Sequence, residues 1–383
     1  PPRSTLFPYT TLFRSPRGAT PAPHGKVIEL SKEGHRLLKE KRFREACALF
    51  EEALTLEPHN PYILTGFGDA LRSLKNFPAA ERCYREVLDN DPNNLFALRG
   101  LGDTYRGQRQ ADKALELWER YIRFRPRDIF VMTRIADAHK TIGDHRRAEE
   151  CYRQALGIDR EDRYALMGLA DLYQKMGEDE QAIRHYEKVL AKSPRMINIL
   201  TIVGNLHWHR GEQEKAREYY ERTLQIESHN SYALYGMGNY YRWRREFERA
   251  IEYWERILER DRGTVNMLTR LADAYRNTGN VEKAEKLYLE NLARGYDKFS
   301  LLGMAKVHVL RGDNDKVMER YRELMTREEE DGWFFAEIIG KYGDERRLEA
   351  LRFYHGARDL HREKPEVCRR LAEQAEKLQL AME

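Results

Sequence analysis

Cysteine is scarce in this 383-residue chain, and the four present (Cys47, Cys83, Cys151 and Cys368) form no C-x-x-C pair. That spacing argues against a disulfide framework or a cysteine zinc site, and it fits a reducing compartment. Three of the thiols sit beside small or aromatic residues of a helical pattern, where a cysteine packs as a small apolar side chain. Long apolar runs are missing too: none approaches the ~18 residues that a membrane span needs. The chain also lacks an excess of one charge, with 67 basic against 63 acidic residues and a net charge of +4. A dedicated nucleic-acid binder concentrates basic charge, so this balance argues against one. Charged residues make up 34% of the chain, as solvated helix faces require. Phosphate-binding loops, nucleophile elbows and the H-E-x-x-H zinc motif are all absent. The most tempting fragment is His207-Trp208-His209, but residues i and i+2 of a helix diverge by about 200°. His207 is expected in the core, and no metal, cofactor or catalytic residue is expected.

What the chain has is a beat. Alanines stand at Ala46, Ala80, Ala114, Ala148, Ala182, Ala216, Ala250 and Ala284, each 34 residues from the last. Twelve residues before each is another small residue: Gly34, Gly68, Gly102, Ala136, Ala170, Gly204, Gly238 or Ala272. Four after it is an aromatic: Phe50, Tyr84, Trp118, Tyr152, Tyr186, Tyr220, Trp254 or Tyr288. Leu98, Leu101, Gly102 and Tyr105 fall at i, i+3, i+4 and i+7, one face of a helix, and Ala114, Leu117, Trp118 and Tyr121 begin a second. Gly143, Gly177, Gly211 and Gly279 lie between two such runs, where a left-handed residue ends the first helix. Pro58, Pro92, Pro126 and Pro194 share a register near the end of a unit.

With that pattern the chain resembles the tetratricopeptide repeat (TPR) family, whose signature is small, aromatic, alanine, aromatic and proline at a 34-residue period. The resemblance implies an all-α fold, a right-handed superhelical solenoid of stacked helix–turn–helix units. Eight units are expected at 27–60, 61–94, 95–128, 129–162, 163–196, 197–230, 231–264 and 265–298. Leu301, Met304, Ala305, His308, Val317, Tyr321 and Leu324 trace a degenerate ninth over 299–330. Residues 331–383 are expected to form a divergent helical C-terminal cap, its last helix carrying Val367, Leu371 and Leu378 on one side. Residues 1–15 contain TLFPYTTLFRS, which resembles the translation of a sequencing-library adapter, and are set aside as an artefact; 16–26 reads as a disordered lead-in. The native start, with any signal, anchor or further domain, is expected to lie upstream of Val27.

Counting each unit's first residue as position 1, positions 4, 7, 8 and 11 form the packing face of the first helix. Positions 2, 5, 9, 12 and 13 cluster opposite. In the family that side lines a concave groove, and the resemblance assigns it the same role here. Position 2 carries Tyr62, Phe96, Phe130, Tyr164 and Tyr232; position 9 carries Asp69, Asp103, Asp137, Asp171, Asn205, Asn239 and Asp273. Position 12 carries Arg72, Arg106, Lys140, Arg242 and Arg276. The acids and bases lie three residues apart and can pair within one helix; alternatively they form a ladder that binds an extended peptide backbone. Units six and seven break the pattern, with asparagine at position 9 and aromatics at Trp208, Tyr235 and Trp243. Asn198, Thr201, Asn205, Trp208, Tyr232, Tyr235, Asn239, Arg242 and Trp243 are therefore the candidate binding residues. The competing reading packs the tryptophans against adjacent helices. Some members of the family clamp a C-terminal carboxylate through fixed lysine, asparagine and arginine positions; only Arg270 meets that pattern here, which disfavours the clamp.

The function expected is a non-enzymatic, cytoplasmic scaffold that holds a peptide or protein segment, with self-association open as a further partner mode. The alternative is a substrate-recruiting arm of an enzyme whose catalytic part lies upstream. Nucleic-acid binding through Tyr240-Tyr241-Arg242-Trp243-Arg244-Arg245 is opposed by the acidic row and by the assignment of Tyr241 to the core.

Overall fold

The computed structural model describes residues 21–327, 351–352, 354–355 and 365–380. Among them are nineteen α-helices and no strand. The chain divides into two compact units, 1–194 and 195–383. The first holds five helix pairs: α1 (Pro21–Lys39) with α2 (Phe43–Leu56), α3 (Pro61–Ser73) with α4 (Phe77–Asn90), α5 (Leu95–Gly107) with α6 (Ala111–Phe124), α7 (Ile129–Ile142) with α8 (His145–Ile158), and α9 (Arg163–Lys175) with α10 (Asp179–Lys192). The second holds α11 (Ile197–His209) with α12 (Gln213–Ile226), α13 (Ser231–Trp243) with α14 (Phe247–Leu258), α15 (Val265–Asn277) with α16 (Val281–Arg294), and α17 (Lys298–Arg311) with α18 (Asn314–Arg327), followed by α19 (Pro365–Leu380).

Each pair is built by the same local chemistry. The residue before the first helix accepts hydrogen bonds from the free N–H groups of the opening turn: Asn60, Asn94, Asp128, Asp162, Asn230, Thr264 and Asp297 all do so. Met196, before α11, has no side chain that can. The turn between paired helices needs one left-handed residue. Glycine fills it at Gly143, Gly177, Gly211, Gly279 and Gly312, with φ from 73° to 90°. In the other four repeats the same conformation is held by Lys41, Lys75, Arg109 and Arg245 at φ 61–62°, where no glycine marked the turn in the sequence.

The core follows the beat. All eight alanines are fully buried, and the eight aromatics four residues on are at most 2% exposed. The rings of Phe50, Tyr84 and Tyr220 lie against the first helices of their own and the following repeat: a Cβ on Gly68 would come within 2.8 Å of the Tyr84 ring, and one on Gly100 would collide with the same ring. Those contacts explain why small residues recur at position 8, and they add a second small position, 6, in the next repeat. The ninth repeat packs in the same way, with Leu301, Met304, Ala305, His308, Val317, Tyr321 and Leu324 all buried.

One boundary differs from expectation. Helix α1 starts at Pro21, so the end of the supposed lead-in at 16–26 is helical; proline is tolerated there because the first N–H groups of a helix have no partner within it. Residues 1–20, including the adapter-like string, lie outside the described residues. So does most of 331–364; of the expected cap, α19 is present with Leu371 and Ala375 buried, while the side chains of Val367 and Leu378 also lie outside the described residues.

Candidate partner-binding surface

The position-9 row is first of all structural. Within each tyrosine repeat the buried ring's hydroxyl donates to the position-9 side chain fifteen residues earlier. Tyr84 donates to Asp69 at 2.7 Å, Tyr220 to Asn205 at 2.8 Å and Tyr288 to Asp273 at 2.7 Å, with Tyr152 to Asp137 and Tyr186 to Asp171 alike. A buried hydroxyl without such an acceptor costs free energy, so Asp or Asn at position 9 is what allows tyrosine in the core. Burial first, and then the facing carboxylates, push these hydroxyls well above their ordinary pKa; for Tyr220, facing an amide, burial alone does so. The same carboxylates pair with position 12 inside their own helix, as Asp69 with Arg72 (3.0 Å), Asp137 with Lys140 (3.3 Å) and Asp273 with Arg276 (3.3 Å).

Tryptophan has no hydroxyl, so in repeats three and seven position 9 is left for another donor. An arginine at position 6 of the following repeat takes it. After Trp118, Arg134 pairs with Asp103; after Trp254, Arg270 Nη1 donates to Asn239 Oδ1 at 2.7 Å. Behind Phe50, Tyr84, Tyr152 and Tyr220, position 6 of the following repeat is glycine instead (Gly66, Gly100, Gly168, Gly236), and behind Tyr288 the equivalent residue of the ninth repeat is Gly303, each in close approach to the ring. Tyr186 is followed by Ile202.

The nine candidate residues all fall in the second compact unit, on α11 and α13. The structure sorts them. Tyr232 is 74% exposed and Trp243 52%, while Asn198 and Arg242 are exposed as well. Trp208, by contrast, is half-buried against Ala216, Tyr220, Ala233 and Met237, so the packing reading holds for it. Thr201 is buried, and its hydroxyl donates to the Ile197 and Asn198 carbonyls of its own helix. Asn205 receives Tyr220. Tyr235 is half-buried; its hydroxyl donates to Asn266 Oδ1 at 3.3 Å and its ring lies 5.7 Å from the Arg270 guanidinium. Arg270 Nε donates to the same Asn266 oxygen at 2.6 Å.

Sequence reasoning left Arg270 and Asn266 out of the site, although together with Asn239 they connect α13 to α15. The signal was there: glycine gives way to arginine at position 6 only after tryptophan. Arg242 makes no ion pair among the described residues; partial desolvation, and then the like charge of Arg270, lower its pKa. Tyr241, assigned to the core from its register, is only partly buried and stacks on Tyr253 with centroids 5.4 Å apart. Its neighbour Tyr240 is the buried one, donating to Glu214 at 2.8 Å, because position 10 faces inward in this repeat. His207 is buried with Nδ1 2.9 Å from Glu212 Oε2, and the described residues contain no cluster of metal-ligand type.

Family models described as tetratricopeptide repeat match residues 37–99, 96–161, 162–228 and 235–296. The chain belongs to the tetratricopeptide repeat family. Comparison with curated proteins gives no match. Among solved structures, the C-terminal part of a TPR repeat-containing protein from Cytophaga hutchinsonii aligns with TM-score 0.55 and 15% identity, covering 63% of this chain and 99% of that one. A crystal structure of MamA protein aligns with TM-score 0.41 and 26% identity, over 44% of this chain and 92% of that one. TPR repeats mark the chain as a protein-interaction module. No helix of the described residues is long and apolar enough to cross a membrane.

Proposed function

We propose that this TPR chain is a non-enzymatic scaffold that holds a segment of a partner protein against the first helices of repeats six to eight. The observation that carries the reading is the company kept on α13 and α15. Two exposed aromatics, Tyr232 and Trp243, lie on the helix that carries Asn239 and Arg242; Asn239 accepts from Arg270 of α15, and both guanidiniums are without an acidic ion-pair partner among the described residues. Tryptophan, tyrosine and arginine are the usual anchors of protein interfaces. The scarcity of cysteine and the absence of a C-x-x-C pair support a reducing, cytoplasmic setting.

Tyr232→Ala combined with Trp243→Ala tests the reading, since both side chains are exposed and their loss leaves the buried ring stack intact. The double variant should keep its helical circular dichroism and lose partners captured by the unaltered chain. Unchanged capture would reject this surface. Trp208→Ala is a poor test because it also removes core packing.

A further inference from the structure

Repeats three and seven are two versions of one device. Each has a buried tryptophan at position 24, a position-9 side chain relieved of any tyrosine, an arginine at position 12 (Arg106 or Arg242), and an arginine at position 6 of the next repeat. In the first version the device is closed. Arg134 is tied to the carboxylate of Asp103, and its guanidinium lies 3.8 Å from the centre of the Phe130 ring. The two side chains are only 11% and 5% exposed. In the second version both partners of the arginine are exchanged for amides: Asp103 becomes Asn239, and Phe130 becomes Asn266. Arg270 keeps its anchoring bonds through Nη1 and Nε, while Nη2 makes no hydrogen bond among the described residues. Around it stand Tyr235 and Arg242. An amide oxygen orients a guanidinium without neutralising it, so the charge that Asp103 cancels in repeat three stays available in repeat seven.

We propose that Arg270, together with Arg242, receives the carboxylate of an internal aspartate or glutamate of the bound segment, in the role that Asp103 fills for Arg134 from within the chain. The inference rests on the surface proposed above and gives its occupant a chemistry: an acidic peptide segment. An internal side chain is favoured over a chain terminus because the closed copy shows an aspartate side chain satisfying this arginine. Tyr235 is positioned by Asn266 to hold the guanidinium, and Trp243 offers an aromatic contact to whatever flanks the acid.

The test uses the full chain and fluorescein-labelled peptide pools with acetylated and amidated ends. The pools are free of Asp and Glu except at one central position, fixed as Glu in one pool and Gln in the other. A third pool has the central Gln and a free C-terminal carboxylate. The Glu pool should bind about tenfold more tightly than the Gln pool, as expected for a charge-assisted contact at a partly desolvated site. Asn239→Asp should abolish that preference by supplying Arg270 with an internal carboxylate. Because the same change adds an ion pair, it should also raise resistance to denaturant, which separates a filled site from a damaged fold. Arg270→Gln should lose the preference with no gain in resistance. Equal binding of the Glu and Gln pools, a preference that survives Asn239→Asp, or selection of the free-carboxylate pool alone would each overturn the proposal. Binding of the Glu and Gln pools alike that still depends on Tyr232 and Trp243 would leave the surface standing and reject only its acidic occupant.

Discussion

Repeats three and seven solve the same packing problem and end with opposite electrostatics. Both place an indole where the other repeats from the second to the eighth place a tyrosine, and both fill the freed position-9 contact with an arginine from the next repeat. One pair is acid and base, buried and complete; the other joins a buried amide to a partly exposed arginine and carries a charge. The difference lies in the arginine's two partners, Asp103 and Phe130 in one and Asn239 and Asn266 in the other. In a repeat protein, where the scaffold is fixed by the recurring small and aromatic positions, specificity is written in the polar groups that the packing leaves unpaired.

The comparison is most easily broken at the acid. Asp103→Ala strands Arg134 in a site where it is nearly buried, and loss of one partner of a buried ion pair costs about 3–5 kcal/mol. Asn239→Ala removes a neutral acceptor from an arginine that can turn to water, and should cost about 1 kcal/mol. Repeat-resolved hydrogen exchange measures both, since each repeat opens locally. Equal losses would mean that the two sites are electrostatically alike.

A smaller effect of the same kind separates the tyrosine repeats among themselves. Tyr288 donates to a carboxylate and Tyr220 to an amide. Hydrogen bonds to charged groups are worth more, so Tyr288→Phe should cost about 2 kcal/mol and Tyr220→Phe about 1 kcal/mol. The pH dependence has a definite sign. These hydroxyls have folded pKa values raised above the unfolded value of 10. Their contribution is therefore complete below pH 10 and lost as pH rises beyond it, because the unfolded chain releases the proton first. Denaturant melts followed from neutral pH to above pH 10 should show falling stability, with a shallower fall in Tyr288→Phe.

How far the sequence reveals this depends on whether a feature repeats. The helix pairs, the buried alanines and the aromatic stack recur eight times, so periodicity alone exposes them. The position-9 row was equally visible, yet its main role was not, because Tyr84 and Asp69 meet across two helices at a spacing of fifteen that no single-helix pattern predicts. Trp208 shows the opposite error: it departs from the register but still packs, since the indole reaches the Tyr220 cluster from position 12. Arg270 was passed over because its partner is set by a tryptophan in the preceding repeat, a coupling between units that no single helix face reveals.

The two tryptophan repeats also share an arginine in the left-handed turn, Arg109 and Arg245, with φ of 61° in each. A residue with a Cβ is strained there, and glycine relieves the strain while adding entropy to the unfolded chain; the balance favours glycine by about 0.5–1 kcal/mol. Arg109→Gly and Arg245→Gly should therefore stabilise their repeats by the same small amount, read by hydrogen exchange. Equality is the informative outcome. It would show that the backbones of repeats three and seven are interchangeable, so that any difference between them in binding an acidic peptide belongs to the side chains around the arginine, Asp103 and Phe130 against Asn239 and Asn266. Unequal gains would instead locate part of that difference in the turn.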